Sequence, residues 1–347
     1  MAALVALLLA TSLSGCGGNG KAALPSSDTL ADRFLDTYVT GNGAVVRTDQ
    51  GGDVVSEGQA YAMVLADLAG RSQTVQTVWS WTRTHLQRTD GLLSWHAKAD
   101  GTVLDPQSAA DADVLAAWAL LDYRGPGQSA LATAGRRLAA AVLAHETVRV
   151  DGQLVLAAGT WATTGAAAMV DPSYWMPSVF RALGSVTGDH RWTVMADTSV
   201  QMLERLTADG RRLPPDWARL DGSRLRPAGA PGTQDRPAYG QDAARTLVWQ
   251  AVDCAQTARH LAARWWPLVR GHPAALTRGL DGAVVTDTAV PLSAVAASLS
   301  ARAAGDVDGA RATLALAVAQ AGTHPTYYGA AWAALGVAMF DGRAPAC

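Results

Sequence analysis

Five carboxylates stand out by position: Glu57, Asp111, Asp113, Asp171 and Asp242 each fall at the expected start of an alanine-rich, apolar helix. Two carboxyl groups facing one another across a cleft can hydrolyse a glycosidic bond. One is protonated to release the leaving oxygen, and the other is ionised to activate water or attack carbon. Any one of the five has a plainer explanation, because an acidic residue in a first helical turn is favoured by the helix dipole, by about 0.3 to 1 kcal/mol. That does not explain why the set is bordered by Gly58, Trp95, Tyr174, Trp175, Tyr239 and Tyr328, which together could line a sugar-binding cleft.

Glu57 is the candidate proton donor. Ser56-Glu57-Gly58-Gln59 reads as a capping box in which Ser56 and Gln59 serve the first backbone donors of the helix. Gly58 lowers helix propensity in that turn and is expected to leave room for a ligand near the backbone. A helix N-terminus depresses a carboxyl pKa, whereas a general acid needs a raised one. Burial and a neighbouring carboxylate, Asp111, are expected to outweigh the dipole.

The elements that position these residues recur in pairs. Helices are expected over 28–38, from 57 onward with a return at 75–87, from 111 with a return at 129–145, from 171 with a return at 189–207, from 242 with a return at 256–269, from 291 with a return at 307–321, and from 327 to 340. Residues 148–156 alternate like a hairpin, and 211–236 form a long proline- and glycine-rich excursion. Six helical hairpins joined by short connections favour antiparallel neighbours, and closing them into a double ring gives an all-α (α/α)6 barrel. An open solenoid would show a repeated side-chain signature, which this chain lacks.

Composition bounds the rest. With 347 residues, 49% hydrophobic content and a net charge of -2, the chain folds around a sizeable core and carries no electrostatic footprint for nucleic acid. Residues 1–15 read as an export signal, Leu13-Ser14-Gly15-Cys16 resembles a lipobox with Cys16 as the lipidated residue, and 16–27 form a flexible tether before a catalytic domain over 28–347. The membrane is then met only through that lipid, and a plain secretory signal is the alternative. Cys254 and Cys347 remain as an even pair that could form a disulfide in an exported protein.

Four stretches carry a resemblance to glycoside hydrolase family 8 over nearly the whole mature chain: Ser56-Glu57-Gly58-Gln59 with Tyr61 and Met63, Ala109-Ala110-Asp111-Ala112-Asp113, Asp171-Pro172-Ser173-Tyr174, and Asp242-Ala243-Ala244-Arg245. Pro215-Asp216-Trp217, Trp249, Tyr327-Tyr328 and Gly336 resemble the branch of endoglucanases associated with bacterial cellulose synthesis. The resemblance implies an inverting endo-β-1,4-glucanase, acting as a monomer without metal or cofactor. Glu57 would be the acid and Asp242 the base, about 6.5 to 9.5 Å apart. It further implies that Asp111 orients the sugar, that Trp95 and Tyr174 contact it, that Arg245 tunes Asp242, and that Gln59, Asp113 and Tyr328 belong to the substrate site. Three departures from the family pattern stand out: Ala110 for a hydroxyl residue, Gln241 for a tyrosine and Asp171 for an asparagine. Two alternatives stay open: the same fold acting on xylan, chitosan or mixed-linkage glucan, and a lipoprotein that binds β-glucan without cutting it.

Overall fold

The computed structural model describes residues 24–164 and 167–343. Twelve α-helices lie among them: α1 Ser27–Tyr38, α2 Ser56–Leu68, α3 Ser72–His85, α4 Ala110–Asp122, α5 Gln128–His145, α6 Pro177–Thr187, α7 His190–Leu206, α8 Gln241–Ala251, α9 Gln256–Val269, α10 Pro291–Ala303, α11 Val307–Thr323 and α12 Tyr327–Phe340. The even-numbered helices pack in sequence, α2 on α4, α4 on α6, α6 on α8, α8 on α10, α10 on α12, and α12 back on α2. This closes the inner ring of an (α/α)6 barrel. The odd-numbered helices pack outside it, each against the helix it follows or precedes.

Side-chain patterning explains the two layers. On α4, every residue from Ala110 to Leu121 is buried, so that helix has no water-facing side, as befits an element covered by the barrel core and by an outer helix. On α1 the buried residues Leu30, Ala31, Phe34, Leu35 and Tyr38 form one stripe, with charge on the opposite face. Small residues let neighbouring inner helices approach closely: at Gly336 of α12 an added Cβ would come within 2.6 Å of Val295 of α10.

Short strands decorate one end of the barrel: β1 Asp53–Val55, β2 His96–Lys98, β3 Val103–Asp105, β4 Thr147–Val150, β5 Gln153–Leu156, β6 Ala168–Val170, β7 Trp217–Asp221, β8 Arg224–Ala228, β9 Ala275–Arg278 and β10 Val284–Ala289. They form antiparallel sheets in the orders β1-β2-β3, β4-β5, β6-β7-β8 and β9-β10. The hairpin expected over 148–156 is β4-β5, with Val148 opposite Val155. The long excursion is ordered, because β7 pairs with β6 and β8 pairs with β7.

Two expectations are corrected. The third inner helix starts at Pro177; Asp171 instead caps a one-turn 3₁₀ helix, Pro172–Tyr174. The capping box at α2 is not formed: the N-cap is Val55, without a side-chain cap bond. The Ser56 N–H donates to the carbonyl of Trp95 at 2.9 Å. The signal segment, the tether residues up to 23, Cys16 and Cys347 lie outside the described residues. Cys254 is disulfide-bonded. Among the described residues no helix is long and apolar enough to cross a membrane.

Candidate active site

Arg245 is the hub that the carboxylates share. It lies three residues after Asp242 on α8, hence on the same helix face. Its Nη2 donates to Asp242 Oδ1 at 2.8 Å and to Ser173 Oγ at 3.0 Å. Its Nη1 donates to Asp111 Oδ2 at 3.1 Å and to Glu57 Oε1. One guanidinium therefore joins α2, α4, α8 and the 3₁₀ turn that precedes α6. The ring of Tyr174 lies 5.5 Å from its Cζ, close enough for a cation–π contact.

Each carboxylate meets this hub differently. Glu57, with 20% of its side chain exposed, also accepts from the Tyr61 hydroxyl at 2.6 Å, a pair one helical turn apart. Asp242 is the most open, at 38%. Asp111 is 7% exposed and Asp171 fully buried. Burial pushes Asp111 up to about 7, with the charges of Glu57 and Asp242 adding to it and Arg245 opposing. Burial, followed by the charge of Asp242, also raises Asp171 well above the usual carboxylate range. Asp111 is the neighbouring carboxylate expected beside Glu57, the two repel through their charges, and Arg245 is bonded to both.

Asp216 completes the base's surroundings. Its Oδ1 accepts from Gly240 N at 2.9 Å and Ala243 N at 2.7 Å, satisfying the first donors of α8 from outside the helix, as an N-cap residue would. Burial and Asp242 raise it to about 6.

Trp95 is partly exposed at the mouth, held by its carbonyl to Ser56 and by its N–H to Gln107 O at 2.8 Å. Its ring stacks on His96 with centroids 4.7 Å apart. His96 Nε2 lies 2.7 Å from Asp53, which Arg47 grips through two hydrogen bonds. Tyr328 is partly buried and packs beside Tyr61 and Trp332.

The structure thus brings together Glu57, Asp111, Asp171, Asp242, Arg245 and Tyr174, but sets other expected site residues apart. Gln59 is fully buried; it accepts from Val45 N at 2.6 Å and donates to Gly43 O and Thr82 Oγ1. Its role is to hold the 43–45 loop. Asp113 is also fully buried, accepting from Leu93 N at 2.9 Å. Trp175 and Tyr239 are core residues, the former donating to Leu156 O. Gly58 makes room for the protein rather than for a ligand: a Cβ there would stand 2.0 Å from the Tyr327 hydroxyl oxygen.

Several groups had no assigned role in the sequence. Tyr61 and Ser173 lie inside the quoted motifs, and the i, i+4 spacing of Glu57 and Tyr61 was a signal that could have been used. Asp216 bonds across 24 residues or more, a separation that no local pattern encodes.

A family model described as glycosyl hydrolases family 8 matches residues 6–334. A probable endoglucanase of Novacetimonas hansenii is 34% identical over 212 residues, covering 57% of this chain and 60% of that protein. The chain therefore matches less than two thirds of that relative's length. Among solved structures, the endo-β-1,4-glucanase CMCax of Acetobacter xylinum superposes with a TM-score of 0.75 at 26% identity, covering 91% of this chain and 98% of that one. A β-1,3-1,4-glucanase from Paenibacillus sp. X4 gives 0.78 at 21% identity, covering 91% of each, a likeness of fold alone.

Proposed function

The chain belongs to glycosyl hydrolases family 8, and from that premise we propose that it is an inverting endo-β-1,4-glucanase with Glu57 as general acid and Asp242 as general base. The observation that carries this reading is the single guanidinium of Arg245, bonded to both carboxylates from the two sides of the ring. It fixes their relative placement, as a reaction that splits one bond between two carboxyl groups requires.

In the proposed reaction Asp242 takes a proton from a water, whose oxygen attacks the anomeric carbon. Glu57 gives its proton to the leaving glycosidic oxygen on the opposite face as the carbon–oxygen bond breaks. The proton count balances, since the base gains one and the acid loses one, and bulk water resets both. Asp242 is the more exposed of the two, which suits a group that must meet water. Tyr61 holds the carboxyl of Glu57 in place, and Asp111 is set to orient the sugar at the cleavage point. Trp95, Tyr174 and Tyr328 present ring faces and edges to the chain of sugars. The protein is further proposed to be exported and anchored through lipid on Cys16, and to act as a monomer.

The test is release of reducing ends from soluble carboxymethyl-cellulose, with rates on xylan, chitosan and mixed-linkage glucan measured alongside. Fresh product from a β-linked chain should appear first as the α-anomer by NMR. Retained binding without release would leave a β-glucan-binding protein, and a β-anomer seen first would exclude inversion. Fatty-acid labelling that survives Cys16→Ala would remove the anchor from the proposal.

A further inference from the structure

Arg245 faces more negative charge than it can balance. Glu57, Asp111 and Asp242 are bonded to it, and Asp171 Oδ2 stands 3.8 Å from Nη2, beyond hydrogen-bond reach. One cation neutralises one anion, so with all four carboxylates ionised the two buried ones, Asp111 and Asp171, would compete with the more open Glu57 and Asp242 for a single guanidinium and leave buried negative charge uncompensated. Protons must stay where burial is greatest. Asp171 is the most enclosed of the four, with no side-chain exposure.

Its hydrogen bonding points the same way. Asp171 Oδ1 is used by the Ser173 N–H at 2.8 Å, the bond that starts the 3₁₀ turn. Oδ2 is buried and has no hydrogen-bond partner among the described residues. A bare carboxylate oxygen there would be an unsolvated anion facing Asp242; a hydroxyl there is a donor awaiting an acceptor. The charged and titratable groups around it are Asp242 and Arg245 from α8 and Tyr174 from its own turn, while Asp111 of α4 holds the other nitrogen of the same guanidinium.

We infer that Asp171 is a positioning residue that works as a neutral hydrogen-bond donor behind Asp242, its Oδ2–H directed at the carboxylate and holding it in place to activate water from its exposed side. This rests on the reading of Asp242 as base. Burial and the charge of Asp242 keep the proton on Asp171. In this chain the aspartic acid supplies, as an acid, one donor that its conjugate base cannot.

The test compares Asp171→Asn with Asp171→Ala in the full chain, on a neutral soluble β-glucan. Asn keeps a donor and cannot ionise; Ala keeps neither. Expected for D171A is a fall in kcat of about tenfold, what one hydrogen bond made in the transition state is worth, with KM within about twofold. D171N should recover most of that loss. The acidic limb of the rate profile, where Asp242 ionises, is the decisive reading. A neutral Asp171 gives D171N a limb that coincides with wild type. An ionised Asp171 would give D171N a limb displaced to lower pH, because removing a negative charge eases ionisation of Asp242, and that result overturns the inference. Equal losses of kcat in D171N and D171A would overturn it too. If the wild type cuts no glucan, the proposed activity fails and the inference is read independently by infrared spectroscopy. A protonated-carboxyl band present in wild type at pH 7 and missing from D171N supports a neutral Asp171, and identical spectra refute it.

Discussion

Gly58→Ala separates a helix that tolerates glycine from a helix that requires it. By intrinsic propensity alone, alanine in α2 should stabilise the protein by as much as about 1 kcal/mol. The structure reverses the sign. The new Cβ would lie 2.0 Å from the Tyr327 hydroxyl oxygen and 2.9 Å from Cζ, and ordinary contact begins near 3.4 Å. Tyr327 cannot swing aside, being 1% exposed and wedged against Phe34 and Tyr38 with ring centroids 5.8 and 5.7 Å away. Overpacking of this kind costs about 1–3 kcal/mol, so after the propensity gain the expected net loss is up to about 2 kcal/mol in urea unfolding. Because Glu57 is the adjacent residue, a shift of about 1 Å in the start of α2 should lower kcat by tenfold or more. Tyr327→Phe is the second arm. The hydroxyl is buried without a partner among the described residues, so its removal alone should be neutral or stabilising by about 1 kcal/mol. In the double variant the worst contact is gone, and stability and kcat should both partly return, with a coupling energy of about 1 kcal/mol or more. If G58A is more stable than wild type and fully active, and the cycle shows no coupling, then the close approach of α2 and α12 is not what excludes a side chain at 58.

Glu57→Gln and Asp242→Asn should each lower kcat by at least about 10² while oligosaccharide affinity, measured by calorimetry, stays within about tenfold; near-normal turnover in either would reassign the acid or the base. Glu146 is fully buried with neither carboxylate oxygen partnered among the described residues, and burial raises it to about 8. Since it ionises at lower pH when unfolded, the folded state holds the extra proton, and stability falls as pH climbs from about 4.5 to about 8. Glu146→Gln should therefore add on the order of a few kcal/mol at pH 9 and far less at pH 5, read as urea midpoints at the two pH values; a gain independent of pH would contradict the sign. Gln59→Leu should cost about 2–4 kcal/mol, because Val45 N, Gly43 O and Thr82 Oγ1 each lose a buried partner. Its thermal unfolding should show the loss even if activity survives.

The ring was legible because its signal is local and repeated. Apolar runs about one helix long, broken by glycine, proline or an acidic start, recur along the chain, and the return helices fill the intervals, so the number and order of helices follow from spacing alone. The third inner helix was misplaced for an equally local reason. Asp171-Pro172 has the look of a cap followed by a first-turn proline, and the same two residues serve a 3₁₀ turn just as well. The second proline, Pro177, starts the helix. The capping box failed because Gln59, three residues after Ser56, is taken by backbone groups of the 43–45 loop, a competition visible only once that loop is folded against α2 and α3.

The departures from the family pattern also look different once the partners are in place. Ala110 is buried, and its N–H already donates to Ala158 O at 3.1 Å, so the segment is anchored by its backbone. Gln241 opens α8 on the exposed side. The donors at that end are satisfied from elsewhere, by Asp216 on Gly240 N and Ala243 N, and the start of the base-bearing helix is therefore fixed without help from residue 241. Asp216 in turn is held beside β7, which pairs with β6, and β6 runs directly into Asp171. The same small sheet thus fixes both neighbours of Asp242: the carboxyl that caps its helix and the carboxyl that stands behind it. A long proline- and glycine-rich excursion is in this fold the frame of the base, and substitutions that unpair β6 from β7 should act on Asp242 before they act on Glu57.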